Sequence, residues 1–275
     1  MPHFMTLELL ICTHNERIHS ASELLLPEMP QVRYLVAWQC TTPEALAMPV
    51  PQCMTDRMDV RVVRTDTSGL SVNRNVAMKH ATGDLLLIAD DDCRYRPEQL
   101  QSAIQAYADH PEADIITFRM DDLDGTPMKD YPDHPFEWTS APRGFFVCSW
   151  EISCRNKPTL PHFDIHFGIG AQLLGCAEEE VWMHDAIHGT PHAKALYLPV
   201  TIGRTPSGTT GTRFLIDKSV QRAKGAMIRI LHKPLPAGLR IIKTALLAPL
   251  GIAGRWNILC QMIYGARLIS RWRKL

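Results

Sequence analysis

The sequence predicts an α/β protein whose sheet is mainly parallel and flanked by helices, and three observations lead to that prediction. Strand-like apolar runs alternate with helical segments along the chain, as in parallel α/β sheets. One run, residues 85–89, is apolar throughout and bounded by charge, which suits a strand buried on both faces. Asp90, Asp91 and Asp92 follow it directly, and such sheets bind ligands at the carboxyl ends of their strands.

Length and composition indicate a large folded domain with an appendage. The chain has 275 residues, is 45% hydrophobic and carries no net formal charge, so it can bury a sizeable core and disorder is not expected. Twelve of its 29 basic residues lie in residues 218–275, which contain no Asp or Glu. We therefore expect a main domain over residues 1–216 and a separate basic, amphipathic helical tail over residues 217–275.

The cysteines and the N-terminus indicate a cytosolic protein. Eight cysteines stand at positions 12, 40, 53, 93, 148, 154, 176 and 260. They lack the paired spacing of a zinc site, so we expect reduced, buried thiols. No basic region followed by a long apolar stretch opens the chain, and no secretory signal is expected.

The elements follow from local patterns, taken in chain order. Strands are predicted at residues 7–12, 32–38, 60–63, 85–89, 114–118, 145–150 and 195–200. Helices are predicted at residues 18–26, 76–81 and 97–109, the last with an amphipathic stripe. Loops are predicted at residues 13–17, 41–52 and 201–212, and residues 120–143 form a polar, proline-containing excursion.

The acidic triplet favours a divalent metal site. Adjacent carboxylates raise one another's pKa unless a cation shares the site. Because side chains alternate at a strand end, Asp90 and Asp92 are predicted to point one way and Asp91 the other. That pair can bind one hard metal ion through oxygen. The alternative is a solvated acidic turn before a helix that begins at Pro97.

A glycine-led segment, residues 69–75, precedes the triplet. Gly69 permits a tight turn, Ser71 is a candidate N-cap, and Arg74 is predicted in the first helical turn near the positive end of the helix dipole. This arrangement suits a phosphate group. The alternative is an ordinary capped helix with an exposed arginine.

Three segments together resemble the inverting family-2 glycosyltransferases with a GT-A fold. Residues 11–16 resemble the nucleotide loop after the first strand of that family. Residues 69–75 are similar to its glycine-led "ARN" segment, and residues 88–92 followed by Pro97 to its DxD-type metal motif. The order and spacing of the three are compatible with the family, and the resemblance covers residues 5–215.

The resemblance implies a nucleotide-sugar donor and a Mg²⁺ or Mn²⁺ ion held by Asp90 and Asp92 across its diphosphate. A metal ion and a cation would then neutralise the charge of the leaving group. The implied donor-site residues include Thr13, Asn15 and Glu16 at the base and ribose. Arg74 and Asn75 are implied near the diphosphate. Ser71, Asp90 and Asp91 are also included in the donor site. The implied enzyme is a hexosyl- or N-acetylhexosaminyl-transferase.

The second strand departs from the family pattern. Many members end it in paired Asp residues that help to hold the nucleotide, whereas this chain has Trp38 and Gln39. Either Trp38 stacks on a base and Gln39 hydrogen-bonds it, or neither contacts the ligand. Asp66 is a candidate for the missing carboxylate. The sequence therefore does not identify the nucleobase or the sugar of the donor.

A second acidic cluster, Glu178 to Glu180, offers a general base. An inverting transfer needs a base that takes the proton of the acceptor hydroxyl, and the cluster resembles the family's "ED" motif at a helix start. Glu179 is the first candidate and Glu178 the second. The alternative is that acidic residues simply favour a helix N-terminus. Asp164 either binds the acceptor, as the resemblance implies, or caps a local turn.

The late strand brings a further departure. Many relatives place a histidine after it, sometimes as a metal ligand, where this chain has Arg204. An arginine cannot bind a metal ion, although it can bind diphosphate. The nearby His184, His188 and His192 are of a type more often found at the surface than as ligands.

The tail combines positive charge with short apolar stretches. Residues 244–254 and 256–266 are its longest uncharged stretches, and both are shorter than the roughly 20 residues that span a bilayer. A basic amphipathic segment with Trp256 and Trp272 favours association with an anionic membrane surface. Packing on the main domain or on a second subunit is the alternative, and no nucleic-acid partner is expected because no known motif accompanies the charge.

Together these features predict a metal-dependent inverting glycosyltransferase, peripheral on the cytosolic face of a membrane, with a glycan or lipid-linked acceptor. The resemblance implies bacterial polysaccharide or lipopolysaccharide assembly as its setting. A nucleotidyltransferase is an alternative that also uses paired carboxylates, a metal ion and a nucleotide, although Glu178 and Glu179 favour glycosyl transfer. The departures at Trp38, Gln39 and Arg204 allow a second alternative, a catalytically silent member that acts as a membrane-bound assembly partner.

Overall fold

The computed structural model describes residues 5–189, 191–206, 208 and 210–275. The strands are β1 (Leu7–His14), β2 (Val32–Gln39), β3 (Val60–Thr65), β4 (Leu85–Asp90), β5 (Ile115–Asp121), β6 (Phe136–Glu137), β7 (Ile152–Arg155) and β8 (Ala195–Arg204). The helices are α1 (Ile18–Ser22), α2 (Pro43–Ala47), α3 (Gln52–Thr55), α4 (Leu70–His80), α5 (Pro97–Asp109), α6 (Glu178–His188), α7 (Lys218–Leu231), α8 (Pro234–Leu246) and α9 (Ile252–Trp272). Short 3-10 helices lie at Asn15–Arg17, Trp138–Ser140, Ser149–Glu151 and Thr210–Leu215.

The described strands form one mixed sheet in the order β3-β2-β1-β4-β7-β5-β8-β6. β3, β2, β1 and β4 are parallel, whereas β7 runs antiparallel to both of its neighbours. The register pairs Cys12 with Asp90 and His14 with Gln39, so the carboxyl ends of β1, β2 and β4 meet at one edge. The predicted α/β fold with a mainly parallel sheet is confirmed, and the acidic triplet lies at that edge.

The central strands are buried because most of their residues are apolar on both faces, and the buried Glu8 of β1 is paired with Arg61. Every residue of β4 from Leu85 to Ala89 is buried, and β1 is buried from Leu7 to Thr13. α5 covers part of the sheet with an apolar stripe that includes Leu100 and Tyr107. This agrees with the prediction of a doubly buried β4 and of a helix over residues 97–109.

Several predicted elements differ from the structure. The predicted helix over residues 18–26 ends at Ser22. The predicted loop over residues 41–52 contains α2, whose N-cap Thr42 accepts a hydrogen bond from the backbone nitrogen of Ala45. The predicted loop over residues 201–212 begins late, because β8 continues to Arg204 through backbone pairing with Arg94. Ser207 and Thr209, within that loop, lie outside the described residues.

The predicted strand over residues 145–150 is also wrong. Ser149–Glu151 forms a 3-10 turn, and the strand begins only at Ile152. Glu151 is buried, and its Oε2 accepts hydrogen bonds from the backbone nitrogen of Cys148 and from Nζ of Lys129, both at 2.8 Å. The buried, ion-paired carboxylate holds a turn at this point. The apolar run before it is explained by packing rather than by strand pairing.

The cysteines are free thiols, as expected, but not all of them are buried. Cys53 and Cys260 are exposed, and the other six are buried. Burial raises the pKa of the Cys12 thiol to about 12, a rise that the Arg74 charge opposes. Such a thiol stays protonated and unreactive at neutral pH.

The chain divides into two compact units. The first comprises Met1–Ser68, Val72–Pro161 and Ala186–Ser207, and the second Gly69–Ser71, His162–Asp185 and Gly208–Leu275. This division differs from the expected one after residue 216. In the second unit, Phe167, Leu174 and Val181 share one buried cluster with side chains of α7, α8 and α9. The tail helices therefore build a core together with residues 162–185.

Within the second unit, α7 and α9 approach each other at two glycines. A Cβ atom at Gly225 would lie 2.0 Å from the backbone oxygen of Met262, and one at Gly265 would lie 2.0 Å from that of Arg222. Only glycine allows so close an approach.

No helix among the described residues is long and apolar enough to cross a membrane.

Replacing Gly225 by alanine is expected to lower the free energy of unfolding by about 2 kcal/mol or more. Overpacking typically costs ~1–3 kcal/mol and here meets rigid backbone, whereas the gain in helix propensity is only about 1 kcal/mol. Urea denaturation of the full chain measures the change. Gly238→Ala in α8 is the matched control, because its Cβ meets no atom within 4 Å. Equal stability of the two variants would contradict the predicted close packing.

Candidate active site

Asp91 joins the end of β4 to the loop after β1. Its carboxylate accepts hydrogen bonds from Oγ1 of Thr13 at 2.7 Å and from Nε of Arg17 at 2.9 Å. Oγ of Ser20 donates to its backbone oxygen at 3.0 Å. Thr13 and Asp91 are both buried. Their polar groups are thus engaged by the protein, and this geometry favours a role in shaping the loop. A direct role of either residue in holding a nucleotide stays a prediction.

Asp90 and Asp92 are the more accessible members of the triplet. Each side chain is 23% exposed. Nη2 of the buried Arg74 lies 3.2 Å from Oδ1 of Asp90, and Nη2 of Arg17 lies 3.5 Å from Oδ2 of Asp92. Burial raises the pKa of Asp90, and the Arg74 charge opposes that rise. The repulsion expected within the triplet is therefore relieved in part by two arginines.

The two arginines differ in how well the sequence predicted them. Arg74 was expected near the site, but α4 begins at Leu70, so Arg74 lies in its second turn rather than in the first. Arg17 was missed. The parallel pairing of β1 with β4 is the signal that could have found it, because that pairing brings the loop after β1 next to the acidic triplet.

The chemistry of this donor set fits a metal ion shared with a ligand. Mg²⁺ is typically held by one or two carboxylates together with substrate phosphates. Asp90 and Asp92 offer two such carboxylates at the edge of the sheet. Among the described residues, no group of three or more His, Cys, Asp or Glu side chains could hold a metal ion. The pair therefore suits a metal ion that a diphosphate also binds, rather than a site built wholly from protein.

Asn73 is a second residue to which sequence reasoning assigned no role. Its Nδ2 donates to the backbone oxygens of Thr13 at 3.1 Å and of Ala37 at 2.9 Å. Asn73 is buried, and among the described residues its Oδ1 has no hydrogen-bond partner. The side chain thus holds the ends of β1 and β2 in register. The position of Asn73 inside the glycine-led segment is the sequence feature that could have identified this residue.

The side chain of Trp38 is enclosed by the protein. It is fully buried, its Nε1 donates to the backbone oxygen of Asn15 at 2.8 Å, and the Arg64 guanidinium lies 4.2 Å from its ring centroid. This burial favours the alternative in which Trp38 does not contact the ligand, and that assignment stays a prediction. Gln39 is also buried, and its Nε2 donates to Oγ1 of Thr67 at 3.1 Å.

The other predicted donor residues surround the same sheet edge. Asn15 adopts a left-handed backbone conformation (φ +46°), and its Oδ1 accepts a hydrogen bond from the backbone nitrogen of Thr41 at 2.9 Å. Glu16 and Asp66 are exposed, and Asn75 is half-buried. Their accessibility is compatible with ligand binding, and their assignment to a donor stays a prediction.

Ser71 belongs to the second unit and does not act as an N-cap. α4 begins one residue before it. Its hydroxyl donates to the backbone oxygen of Phe167 at 2.6 Å, and a Cβ atom at Gly168 would lie 3.0 Å from both Ser71 Oγ and Glu178 Cδ. Ser71, Gly168 and Glu178 are therefore neighbours. The phosphate role predicted for Ser71 stays a prediction.

The acidic cluster begins α6, as predicted. Ala177 precedes the helix with φ +72°, a left-handed conformation that costs a residue with a side chain roughly 1–3 kcal/mol and that clusters at functional sites. Glu178 is only 5% exposed, whereas Glu179 is partly buried. Glu180 lies 3.9 Å from Nζ of Lys224. Of the two candidate bases, Glu179 is the more accessible.

Asp164 is fully engaged within the second unit. Its Oδ2 accepts hydrogen bonds from Nε and Nη2 of Arg273 at 3.0 and 2.7 Å, and its Oδ1 accepts one from the backbone nitrogen of His166 at 3.0 Å. Burial raises its pKa, but these hydrogen bonds outweigh burial and hold the pKa below its usual range. This geometry favours a structural role over acceptor binding, which stays a prediction.

Arg204 also has a structural contact. Its Nη1 donates to the backbone oxygen of Leu123 at 3.2 Å. His184 lies on α6 with its Nδ1 3.4 Å from Oδ1 of Asp185, and Nδ1 of the exposed His192 lies 3.1 Å from the backbone oxygen of Ile187. Arg204, His184 and His192 thus each have a polar contact within the chain, and no ligand role of these residues is tested.

Residues 9–167 match the family model described as glycosyl transferase family 2, which is more than half of the chain. A crystal structure of a fragment of S. aureus TarS, TarS 1-349, aligns with a TM-score of 0.57 at 18% identity, covering 97% of this chain and 73% of that one. The same fragment in complex with UDP-GlcNAc aligns with a TM-score of 0.56 at 18% identity, covering 95% and 82%. A further S. aureus TarS structure aligns with a TM-score of 0.56 at 19% identity, covering 98% and 45%.

At these identities the structural likeness shows the fold alone, and that fold is the GT-A fold. No curated protein matches the sequence. The family model, by contrast, covers the chain from Leu9 within β1 to Phe167, including the glycine-led segment and the acidic triplet. The chain therefore belongs to glycosyl transferase family 2.

Proposed function

We propose that this protein is a metal-dependent, inverting glycosyltransferase. It would move a hexosyl or N-acetylhexosaminyl group from a nucleotide-sugar to a hydroxyl of a glycan or lipid-linked acceptor. One observation carries the proposal: the accessible carboxylates of Asp90, beside Arg74, and of Asp92, beside Arg17, follow one another at the carboxyl end of β4, where it pairs in parallel with β1. Carboxylates that share a metal ion with diphosphate, next to a buried cation, suit a nucleoside diphosphate leaving group.

The residues of the first unit would act on the donor. Asp91, Thr13 and Arg17 hold the loop after β1 in place through the hydrogen bonds described above, so the loop is pre-organised for the nucleotide. Asp90 and Asp92 would hold Mg²⁺ or Mn²⁺. When bound, such an ion stabilises the charge that develops on the departing diphosphate. Arg74 adds a fixed positive charge for the same purpose.

Glu179 is the proposed general base, with Glu178 as the second candidate. A carboxylate in this role takes the proton of the acceptor hydroxyl as the hydroxyl oxygen bonds to the anomeric carbon, and the bond from that carbon to the diphosphate breaks. The assignment rests on the likeness to the family's acidic helix start and on the strained backbone at Ala177.

The tail is proposed to hold the enzyme on an anionic membrane surface, peripheral and on the cytosolic side. Residues 218–275 have twelve basic and no acidic side chains, and anionic lipids attract such segments by about 1 kcal/mol for each basic residue near the surface. A lipid-linked acceptor would be presented at that same surface.

A panel of nucleotide-sugars, measured by thermal shift with and without Mn²⁺, tests the donor site. Because TarS has been crystallised with UDP-GlcNAc, that donor comes first in the panel, followed by sugars on other bases. A ligand at 100 times its Kd stabilises the native state by about 2.7 kcal/mol. We expect one or two donors to raise the melting temperature, and only when Mn²⁺ is present. A folded protein that no donor stabilises would overturn the proposal.

A further inference from the structure

The second unit contains a groove between α7, α8 and α9. Its volume is about 570 Å³, within the range of small-ligand sites. α8 contributes apolar and small residues such as Gly238 and Ile241, and α9 contributes Ile263, Arg267 and Arg271. The last two are four residues apart and therefore share one face of α9. The groove thus has an apolar wall and a basic wall.

The basic wall has no ion-pair partner among the residues that the structure describes. Arg229, Arg267 and Arg271 line the groove, and no residue of 218–275 is acidic. In the part of the chain that the structure describes, no ion pair involves any of the three. Guanidinium groups that face one cavity repel one another, and a phosphate is the anion whose geometry they match best.

An exposed apolar stripe lies on α8 next to the groove. Leu235, Leu239, Ile242 and Leu246 are 45 to 75% exposed, and their spacing places them on one face of the helix. Buried residues such as Ala237, Ile241 and Ala245 occupy the inner face. Ile242 belongs to both the stripe and the groove wall. A helix with this pattern and flanking cations lies in the plane of a membrane surface.

We propose that the groove binds one anionic phospholipid molecule. Its phosphate would contact Arg267, Arg271 and Arg229, and its acyl chain would lie along Ile241, Ile242 and Ile263. The α8 stripe would enter the apolar layer beside it. A phosphate alone would leave the apolar wall uncovered, and an uncharged lipid would leave the three arginines without a counter-charge. This inference does not depend on glycosyl transfer.

Two groove variants and a control test the proposal. Gly238→Leu fills the groove from α8, where an added Cβ meets no atom within 4 Å, and it replaces glycine by a better helix former. Arg267→Gln combined with Arg271→Gln removes two charges from the basic wall. The control, Arg213→Gln with Lys218→Gln, removes the same charge from exposed residues that do not line the groove. Circular dichroism and thermal melting confirm that each full-length variant is folded.

Binding is measured by isothermal titration with dioctanoyl phosphatidylglycerol below its critical micelle concentration. We expect one equivalent to bind, the two groove variants to bind at least ~10-fold more weakly, and the control to bind as the wild type does. Dioctanoyl phosphatidylcholine and inorganic phosphate are the comparison ligands, and both should bind at least ~10-fold more weakly than phosphatidylglycerol.

Five results would overturn the proposal. Inorganic phosphate that binds as tightly would indicate a free-anion site. Phosphatidylcholine carries a phosphate but no net charge, so equally tight binding by this lipid would indicate that the groove does not select anionic lipids. A control variant that binds phosphatidylglycerol as weakly as the groove variants do would indicate that binding depends on the total positive charge of the protein and not on the groove. If sedimentation velocity showed that the wild type is a dimer and that Gly238→Leu is a monomer, a second copy of the chain would fill the groove. No binding by the wild type would reject the site, whatever the donor panel shows.

Discussion

Glu179→Gln is expected to lower the rate of sugar transfer by roughly 10²–10⁴-fold, the usual contribution of a general base. The carboxamide keeps the size of the side chain but cannot take a proton at neutral pH. Donor affinity should stay within a few-fold of the wild type, because the proposed role of Glu179 is toward the acceptor hydroxyl and the substitution preserves the size of its side chain. Turnover and donor binding are measured on the same preparation.

Glu180→Gln is the matched control, since Glu180 is one residue away and lies 3.9 Å from Lys224. Its turnover should fall by no more than a few-fold. Glu178→Gln separates the two candidate bases: a deeper loss there than at Glu179 would move the assignment to Glu178. Full turnover in both variants would reject the cluster as the source of the base and leave its position at the start of α6 as a matter of helix stability.

Asp92→Ala is expected to weaken metal-dependent donor binding by about tenfold or more, equivalent to about 1.4 kcal/mol. It removes one of the two accessible carboxylates of the triplet, each 23% exposed. It leaves Asp91 and its hydrogen bonds to Thr13 and Arg17 in place, so the loop after β1 should keep its shape. Titration of the best donor from the panel, in Mn²⁺ and in EDTA, measures the effect.

The two titrations separate loss of metal from loss of structure. In EDTA, the wild type and Asp92→Ala should bind the donor with similar weak affinity. Asp124→Ala, which removes an exposed carboxylate, should bind as the wild type does in both conditions. If Asp92→Ala bound the donor as tightly as the wild type in Mn²⁺, the metal assignment would be wrong.

Elements with strong local signals could be predicted from the sequence. β4 has an uninterrupted apolar run, and α5 combines Pro97 at its first position with an amphipathic stripe. The start of α6 was likewise marked by its three glutamates. Residues 145–150 show the limit of this reasoning. The ring centroids of Phe145 and Tyr197 lie 5.4 Å apart. The apolar character of Phe145 therefore serves a tertiary contact, although in the sequence it has the same pattern as a strand.

Partners distant in sequence could not be predicted in the same way. Asp91 meets Arg17 across 74 residues, and Asp164 meets Arg273 across 109. The sequence showed that each carboxylate was present, but not whether another part of the chain would occupy it. Trp38 illustrates the same limit, because an aromatic residue at a strand end suits stacking until the fold covers it.

The family, the mainly parallel sheet, the acidic triplet and the basic tail could all be predicted from the amino-acid sequence, because each is marked by runs of neighbouring residues with a distinct chemical pattern. Three features required the three-dimensional structure: which carboxylates stay accessible, how Arg17 and Asn73 hold the strand ends, and how the tail helices form a core with a groove. These features depend on the register of strands and on the close crossing of α7 and α9 at glycine. Such contacts bring together residues far apart in the chain, and no local pattern specifies them.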